Sequence, residues 1–470
     1  METTDILLYI FQAIYLITAG GIFFLVISEN RNPLKTISWA LLLVLFPVGG
    51  ILIYYFFGQD TRKIRIISRK SYKKIKKQSF DKLIAEDIKS ISPNYLPLAK
   101  LLNNNNDASL LEGSSVKVFT NGKDKFEALL KDLEQAKKHI HLQYYIFMDD
   151  AIGHIVKQKL IQKAAQGIEV CVLYDDVANW KVRNKFYDEM RDAGINITSY
   201  LEVRFPIFTS KVNYRNHRKI VVIDGLIGYV GGMNIADRYL KPDWRDTHLR
   251  IVGKGVYGLQ AAFLVDWHAS HEDIEITQDH FPPCVSQTDN LMQIATGGPI
   301  RVWRTLLQAT IQIILNAKKY IYIQTPYFLP TEALLQSLQT AALAGVDVRL
   351  MMPESSDVQA VNTASQSYFE DVLLSGVKIY TLKSSFLHAK TLITDDYLSV
   401  VGSANMDFRS FEHNFEVNAY IYEKEFALQM KRIFLEDQKQ CNIIGLRKWQ
   451  QRPKLQKLKE SFMRMFSPLL

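Results

Sequence analysis

The eight residues His217-Arg218-Lys219-Ile220-Val221-Val222-Ile223-Asp224 return downstream as His388-Ala389-Lys390-Thr391-Leu392-Ile393-Thr394-Asp395. Both read HxKxxxxD, and an Asn follows each Asp by ten residues, Asn234 in one copy and Asn405 in the other. All four positions shift by the same 171 residues. A phrase repeated in register calls for two related halves, so the chemistry has to be read from both together.

Between each Lys and Asp lies a β-branched, apolar run, Ile220 to Ile223 and Thr391 to Thr394, which favours a short buried strand. Asp224-Gly225 is a strong hairpin turn and Asp395-Asp396 a weaker one. The runs Leu226 to Val230 and Tyr397 to Val401 complete the hairpins. With a two-residue loop, His217 falls opposite Gly232 and His388 opposite Ser403, small residues that leave room for a substrate group. Residues two apart on a strand share a face, so each His sits beside its Lys, with the Asn diagonally across. The Asp falls in the turn and fixes the hairpin.

Two copies facing one cavity would present two imidazoles, two ammoniums and two carboxamides, a set that suits a phosphodiester. Lys219, Lys390, Asn234 and Asn405 bind the non-bridging oxygens as charge develops. One His attacks phosphorus; the other protonates the leaving oxygen and then acts as base. No metal or other cofactor is required, because lysine supplies the cationic clamp. No GxxxxGK[ST] loop is present.

The chain resembles the phospholipase D superfamily, whose hallmark is this doubled HxKxxxxD with a trailing GSxN or GGxN. Within it the chain is most similar to the bacterial cardiolipin synthases. The phrases that carry the likeness are His217 to Gly225, Trp244-Arg245-Asp246-Thr247-His248, Val401-Gly402-Ser403-Ala404-Asn405-Met406-Asp407-Phe408-Arg409-Ser410 and the ending Phe466-Ser467-Pro468-Leu469-Leu470. The resemblance implies transfer of a phosphatidyl group between two phosphatidylglycerol molecules, giving cardiolipin and glycerol. It implies His217 as nucleophile and His388 as acid and base, Ser403 among the phosphate ligands, and a downstream acid supporting the catalytic imidazole. Glu416 lies 28 residues after His388, and Asp246 lies 29 after His217. Gly232 stands where the second copy has Ser403. A hydrolytic phospholipase D or nuclease using water, and a silent membrane protein that binds anionic lipid, remain open as alternatives.

Repetition extends beyond the motif. Ala136 to Gln143 mirrors Ala317 to Gln324, and a helix, glycine stop and strand recur at 160–174 and 335–352. Helices alternating with buried strands indicate α/β layering. The expected fold is therefore two pseudo-symmetric α/β halves sharing one active site, at 111–290 and 291–445. His139 and His141 stand where the second half has Tyr320 and Tyr322, and read as packing residues. His268 and His271, with Asp266, Glu272 and Asp273, lack a recognised metal-ligand spacing. Cys171, Cys284 and Cys441 form no CxxC pair and fit free thiols in a reducing compartment.

Residues 6–27 and 37–57 carry no charge, and each run is long enough to cross the ~30 Å hydrocarbon layer. A two-helix transmembrane hairpin is expected over 1–60. From Arg62 to Lys77 there are nine Lys or Arg and no acid, against Arg31 and Lys35 in the turn. That asymmetry places the C-terminal bulk on the cytoplasmic side, and the resemblance implies the plasma membrane of a bacterium. A basic stalk is expected over 61–110, with a flexible break at Asn103 to Asp107. The tail 446–470 mixes Arg447, Lys448, Arg452, Lys454, Lys457 and Lys459 with Trp449, Phe462, Met463, Met465 and Phe466. It suits either an anionic lipid surface or packing on the core. A net charge of +9 is compatible with such a surface; no nucleic-acid partner is expected.

Overall fold

The structure, a computed structural model, describes residues 3–28, 33–54, 91–200, 214–270, 274–284, 288, 290–299 and 302–468. They fall into an N-terminal unit and a body that starts at residue 91. The basic run Arg62 to Lys77, His271, Glu272 and Asp273 lie outside the described residues.

In the N-terminal unit the first expected span lies within one helix, Thr3–Ser28. The second is broken into Pro33–Leu45 and Pro47–Ile53. Pro47 has no N–H to donate and disfavours helical geometry at the residue before it, and Phe46 accordingly takes φ −125° and ψ 78°. Counting the described residues alone, no helix is long and apolar enough to cross a membrane. The unit's small core joins Leu43, Tyr54 and Trp39, and the Tyr15 hydroxyl donates to Leu43 O.

In the body, one sheet runs Ser115–Phe119, His248–Val252, Ile227–Gly231, Lys219–Ile223, His139–Tyr144, Glu169–Asp175, Asn196–Tyr200. The other repeats that order as Leu291–Gly297, Glu416–Tyr422, Leu398–Gly402, Thr391–Thr394, Tyr320–Gln324, Asp347–Pro353, Lys378–Leu382. It gains Leu111–Glu112 at one edge and Cys441–Ile444 at the other. The duplicated strands sit at the middle of each sheet, paired antiparallel on both sides. Ile220, Val222, Val230 and Leu249 of one sheet share a core with Ile393, Val401, Val417 and Ile421 of the other. The helix Val256–Ser270 packs on strands of both. A sheet covered on both faces explains why these strands read as unbroken apolar runs.

Three expectations need correction. Both hairpin loops hold three residues, since Ile223 pairs with Ile227 and Thr394 with Leu398. Two successive residues in each loop are left-handed, Asp224 and Gly225 (φ 53° and 67°), then Asp395 and Asp396 (φ 51° and 55°). The Asp carboxylate explains the extra residue: Asp224 accepts from the N–H groups of Lys137, Lys138 and His139 at 2.8–3.0 Å. Asp395 accepts from Lys318, Lys319 and Tyr320 at 2.7–3.1 Å. Each loop is thus tied to the neighbouring strand's start.

Second, Asn103–Asn106 is no break but the last turn of a helix, Leu96–Asn106, closed by left-handed Asp107. Asn106 is buried, and its carboxamide pairs with Thr296 as a strand would, donating to O at 2.6 Å and accepting from N at 2.9 Å. Third, Leu98 and Leu102 pack into the second half's core, and Leu111–Glu112 pairs with Leu291–Gly297. So 96–112, expected as the end of the stalk and the start of the first half, belongs to the second half's core and sheet. The tail helix Lys454–Arg464 is held by Arg452–Glu460 and Arg464–Asp371 ion pairs but leaves Leu455, Leu458 and Phe462 exposed.

Candidate active site

His217 and His388 each enter the site on a strand end that pairs with the opposite half. His217 N–H donates to Phe415 O at 2.9 Å, and Asn216 bridges Phe415. Phe386–Leu387 runs parallel to Trp244–Arg245, and His388 N–H donates to Arg245 O at 2.7 Å. Those partner segments carry the two acids. Their carboxylates therefore cross between halves. His217 Nδ1 lies 2.9 and 3.0 Å from the two oxygens of Glu416. His388 Nδ1 lies 2.6 Å from Asp246 Oδ2. Spacing along the chain set each acid near its own half's histidine, and the fold exchanges them. Both carboxylates are fully buried. With both Nδ1 atoms engaged, Nε2 is the nitrogen each ring has for chemistry.

With three-residue loops, Gly232 and Ser403 fall level with Arg218 and Ala389, one place off the histidines they were expected to face, and the space they leave is taken by these acids, not by substrate. A Cβ on Gly232 would lie 2.1 Å from Asp246 Oδ1, so the glycine makes room for the carboxylate. At the matching place the Ser403 hydroxyl donates to Glu416 Oε2 and accepts from Val417 N–H. Asn414 Nδ2 adds a third donor to Glu416 at 3.2 Å. Ser403, expected on the phosphate, is thus placed on the acid. Asn234 is likewise occupied: its oxygen accepts from Ile146 N–H and its amide donates to the Tyr239 hydroxyl at 2.6 Å. Tyr239 stands edge-on to His388, 5.9 Å between centroids. Asn405 differs, since its buried side-chain oxygen has no partner among the described residues.

Lys219 and Lys390 are buried, and each ammonium donates to the carbonyl of its own histidine. Lys390 Nζ also lies 3.0 Å from His388 Nδ1, and Lys219 lies 5.1 Å from the Tyr145 ring centre. Four basic groups in a buried space suppress one another. Burial, then Lys219, draws His217 down to about 4 against the pull of Glu416. Burial and Lys390 draw His388 to about 4 against Asp246. Lys390 falls to about 8, chiefly from burial, and Lys219 falls well below its ordinary value for the same reason. Burial opposes charge on Glu416 too, but His217, Lys219 and Ser403 outweigh it and hold the carboxyl low. Each lysine is felt by the other half's histidine, which puts all four groups in one field. An anion entering there would restore the charges the site now resists.

Several contributors escaped sequence reading. Arg218, between His217 and Lys219, is buried and donates to Glu416 O at 3.0 Å, Gly297 O at 2.9 Å and Asp266 at 2.5 Å. It stitches the halves together, and Asp266 is committed to it, to Gln143 and to Asn216. Tyr145 meets His217 edge-on at 4.8 Å, while Trp244 and Phe386 flank His388 at 5.5 and 6.0 Å. Trp244 was signalled by its place beside Asp246. Nothing in the spacing marked Arg218. Elsewhere, His141, Glu169 and Cys171 form a metal-like group within 4.8 Å. It lies at the turn end of the strand, away from Lys219, and both His141 nitrogens are taken by Gln260 and Glu169.

A family profile described as cardiolipin synthase, PLD-like domain, matches residues 129–256 and 310–438, one match in each half. The chain belongs to this family. A second profile, the phospholipase D-nuclease N-terminal segment, matches residues 13–59. The chain is 38% identical over 485 residues to the major cardiolipin synthase of Bacillus subtilis, covering 100% of both chains. It is 40% identical over 464 residues to a cardiolipin synthase of Geobacillus kaustophilus, covering 95% of this chain and 91% of that one. Among solved structures, phosphatidylserine synthase of Haemophilus influenzae aligns at TM-score 0.62 and 15% identity, over 80% of this chain and all of that one. That likeness is one of fold.

Proposed function

We propose that the chain is a membrane phosphatidyltransferase that makes cardiolipin and glycerol from two phosphatidylglycerol molecules. The observation that carries this is the pair of crossed imidazole–carboxylate contacts set around two buried lysines, in a chain of this family. In the first step His217 Nε2 attacks phosphorus, and the bond to the glycerol oxygen breaks as His388 Nε2–H gives that oxygen its proton. Glu416 accepts Nδ1–H of His217 and so leaves the Nε2 lone pair free. In the second step a hydroxyl of another phosphatidylglycerol gives its proton to His388 Nε2 and attacks phosphorus, and the phosphorus–nitrogen bond breaks. The anionic ester is conserved throughout, so no nucleotide is consumed. Lys219, Lys390 and Asn405 hold the non-bridging oxygens. Asn234 and Ser403 act through Tyr239 and Glu416, and Asp224 and Asp395 brace the hairpins.

We place the chain in the plasma membrane, anchored by its N-terminal helices, with the body on the cytoplasmic side. Phe11, Ile14, Leu16, Ile17, Phe24, Val44 and Leu45 of the N-terminal unit are exposed, a set of apolar side chains that lipid would cover. The exposed Leu455, Leu458 and Phe462, beside Lys454, Lys457 and Lys459, fit an anionic lipid surface in the same way. The test is purified full-length protein with phosphatidylglycerol labelled at its phosphorus. Glycerol leaves in either case; label in a double-sized lipid supports transfer, and label in phosphatidic acid alone means that water is the acceptor. His217→Ala should abolish both.

A further inference from the structure

The active-site phosphate holds one lipid, whereas the proposed reaction needs two. In an exchange through one intermediate, the departing glycerol and the entering headgroup occupy the same ground beside the acid–base histidine. They differ in one respect: the entering headgroup carries a second phosphodiester, one glycerol bridge further out. Short of its acyl chains, that second anion is what a polar site can use to prefer the lipid to free glycerol.

The register between the halves extends four residues past each motif Asn, to Arg238 after Asn234 and Arg409 after Asn405. The fold sends them to opposite sides. Arg409 acts with Arg215 on the Tyr145 hydroxyl, whose ring abuts His217. Arg238 lies over Trp244, 5.5 Å from the ring centre, and Trp244 lies 5.5 Å from His388. The Arg238 guanidinium thus stands one aromatic ring beyond the acid–base imidazole, exposed, 5.4 Å from the Tyr239 ring centre and bonded to the Tyr239 hydroxyl, with no carboxylate paired to it among the described residues.

Beyond that ring opens a cleft of about 430 Å³, lined by Arg238, Lys241, Trp244, Asp357, Ser384 and Phe386 among others. Its size suits a polar headgroup. Its charges are mixed: Lys383 joins Arg238 and Lys241, while Asp243, Glu354 and Asp357 oppose them. Glu354 is bonded to Asn442 and Asp357 to the Tyr327 hydroxyl. Three cations against three carboxylates leave the lining neutral overall, so within it an anion is drawn to Arg238 and Lys241 and kept off the acids.

We propose that this cleft is the acceptor subsite, in which Arg238, helped by Lys241, binds the phosphodiester of the second phosphatidylglycerol and presents its free hydroxyl to His388. The inference rests on the phosphatidyltransferase reading and adds the group that selects a lipid over a simple alcohol. Bond changes are those of the second step above: the acceptor proton passes to His388 Nε2 as the phosphorus–nitrogen bond breaks.

The experiment compares two acceptors in mixed micelles of phosphatidylglycerol and detergent, using full-length protein. Radioactive glycerol entering phosphatidylglycerol reports exchange with an acceptor that has no phosphate; cardiolipin reports the lipid acceptor. In Arg238→Gln the cardiolipin rate should fall about 10- to 100-fold, the scale of one lost charge-assisted hydrogen bond. Glycerol exchange should persist within a few-fold, which also shows that the protein is folded and that the nucleophile works. A parallel fall in both rates, or none in either, overturns the proposal. So does the same uncoupling in Arg409→Gln in place of Arg238→Gln, since the acceptor would then enter beside His217. A wild-type protein that neither exchanges glycerol nor makes cardiolipin would instead defeat the phosphatidyltransferase reading itself.

Discussion

Replacing Glu416 with Gln tests the crossed geometry most directly, because it keeps the side chain's shape and removes its charge. The carboxylate is fully buried and takes His217 Nδ1 on both oxygens, with Ser403 and Asn414 completing its shell. A hydrogen bond to a charged group contributes about 1.5–3 kcal/mol. At 1.36 kcal/mol per factor of ten, losing it slows attack by His217 roughly 10- to 150-fold. The amide adds a second fault. Ser403 donates to one oxygen, so the Gln oxygen settles there and its NH2 turns toward His217 and Asn414. Asn414 accommodates this by rotating its buried oxygen, which has no partner among the described residues, inward. The NH2 group then donates to His217 Nδ1, and the ring proton moves to Nε2, where the attacking lone pair had been. Tautomer errors of this kind cost about 10⁴ in kcat in serine hydrolases, so a total loss of about 10³–10⁴ is expected. The assay uses a phosphatidyl ester of p-nitrophenol, which leaves without needing a proton. Wild type and Asp246→Asn should both release a burst of nitrophenolate equal to the enzyme present, while Glu416→Gln shows none although the protein remains folded at the assay temperature. The reasoning fails if Glu416→Gln bursts normally and Asp246→Asn does not, because each acid would then serve the histidine of its own half, or His388 would be the nucleophile.

Lys390, depressed by burial to about 8, and Lys219, drawn well below its ordinary value by burial, must both be cationic to hold phosphate on the proposed mechanism, so kcat/KM should already be falling as pH rises through about 8; the double variant Lys219→Arg with Lys390→Arg, in which neither group titrates there, should lose that alkaline limb even with a lower plateau. Asp224→Ala leaves the N–H groups of Lys137, Lys138 and His139 unpaired, at about 1–3 kcal/mol for each group that water cannot reach; a drop of several degrees in melting temperature is expected with kcat retained per folded molecule, and an unchanged melting temperature would remove the bracing role. Gly232→Ala drives a methyl into Asp246, 2.1 Å from Oδ1, and should cut cardiolipin synthesis at least tenfold while the nitrophenolate burst survives; loss of the burst would show that the damage reaches His217.

The motif made the strand pairs legible because its residues follow strand periodicity, and strand periodicity is local. Lys219 to Ile223 and Thr391 to Thr394 are central strands, as their apolar runs require. The loop length was not legible, since what sets it is Asp224 reaching three N–H groups some 85 residues upstream. Asn103 to Asn106 misled for a related reason. Asn signals a turn by its local bonding habit, yet Asn106 is held in a helix by Thr296, 190 residues away. The acids were visible as residues, but sequence distance ranked their partners in the wrong order, because Phe415 and Arg245 tie each histidine to the opposite half.

That exchange bears on why the two halves are not identical. Were each acid held within its own half, either half could keep a working imidazole alone, and symmetry would cost nothing. With the acids exchanged, each ring is set by what the other half supplies, and the supplies differ. His217 receives a longer acid whose two oxygens are fixed by Ser403 and Asn414, an arrangement that favours a steady, neutral ring with a free lone pair. His388 receives a shorter acid at 2.6 Å, seated where Gly232 leaves space, with Lys390 at 3.0 Å from the same nitrogen. A lysine so placed opposes the imidazolium until a phosphodiester draws its charge away, so His388 gains its proton's full value only with substrate bound. On the proposed roles, the difference between Gly232 and Ser403 suits a nucleophile on one side and an acid on the other, and Gly232→Ser, whose Cβ would lie 2.1 Å from Asp246 Oδ1, should blunt the acid by displacing the carboxylate that holds His388.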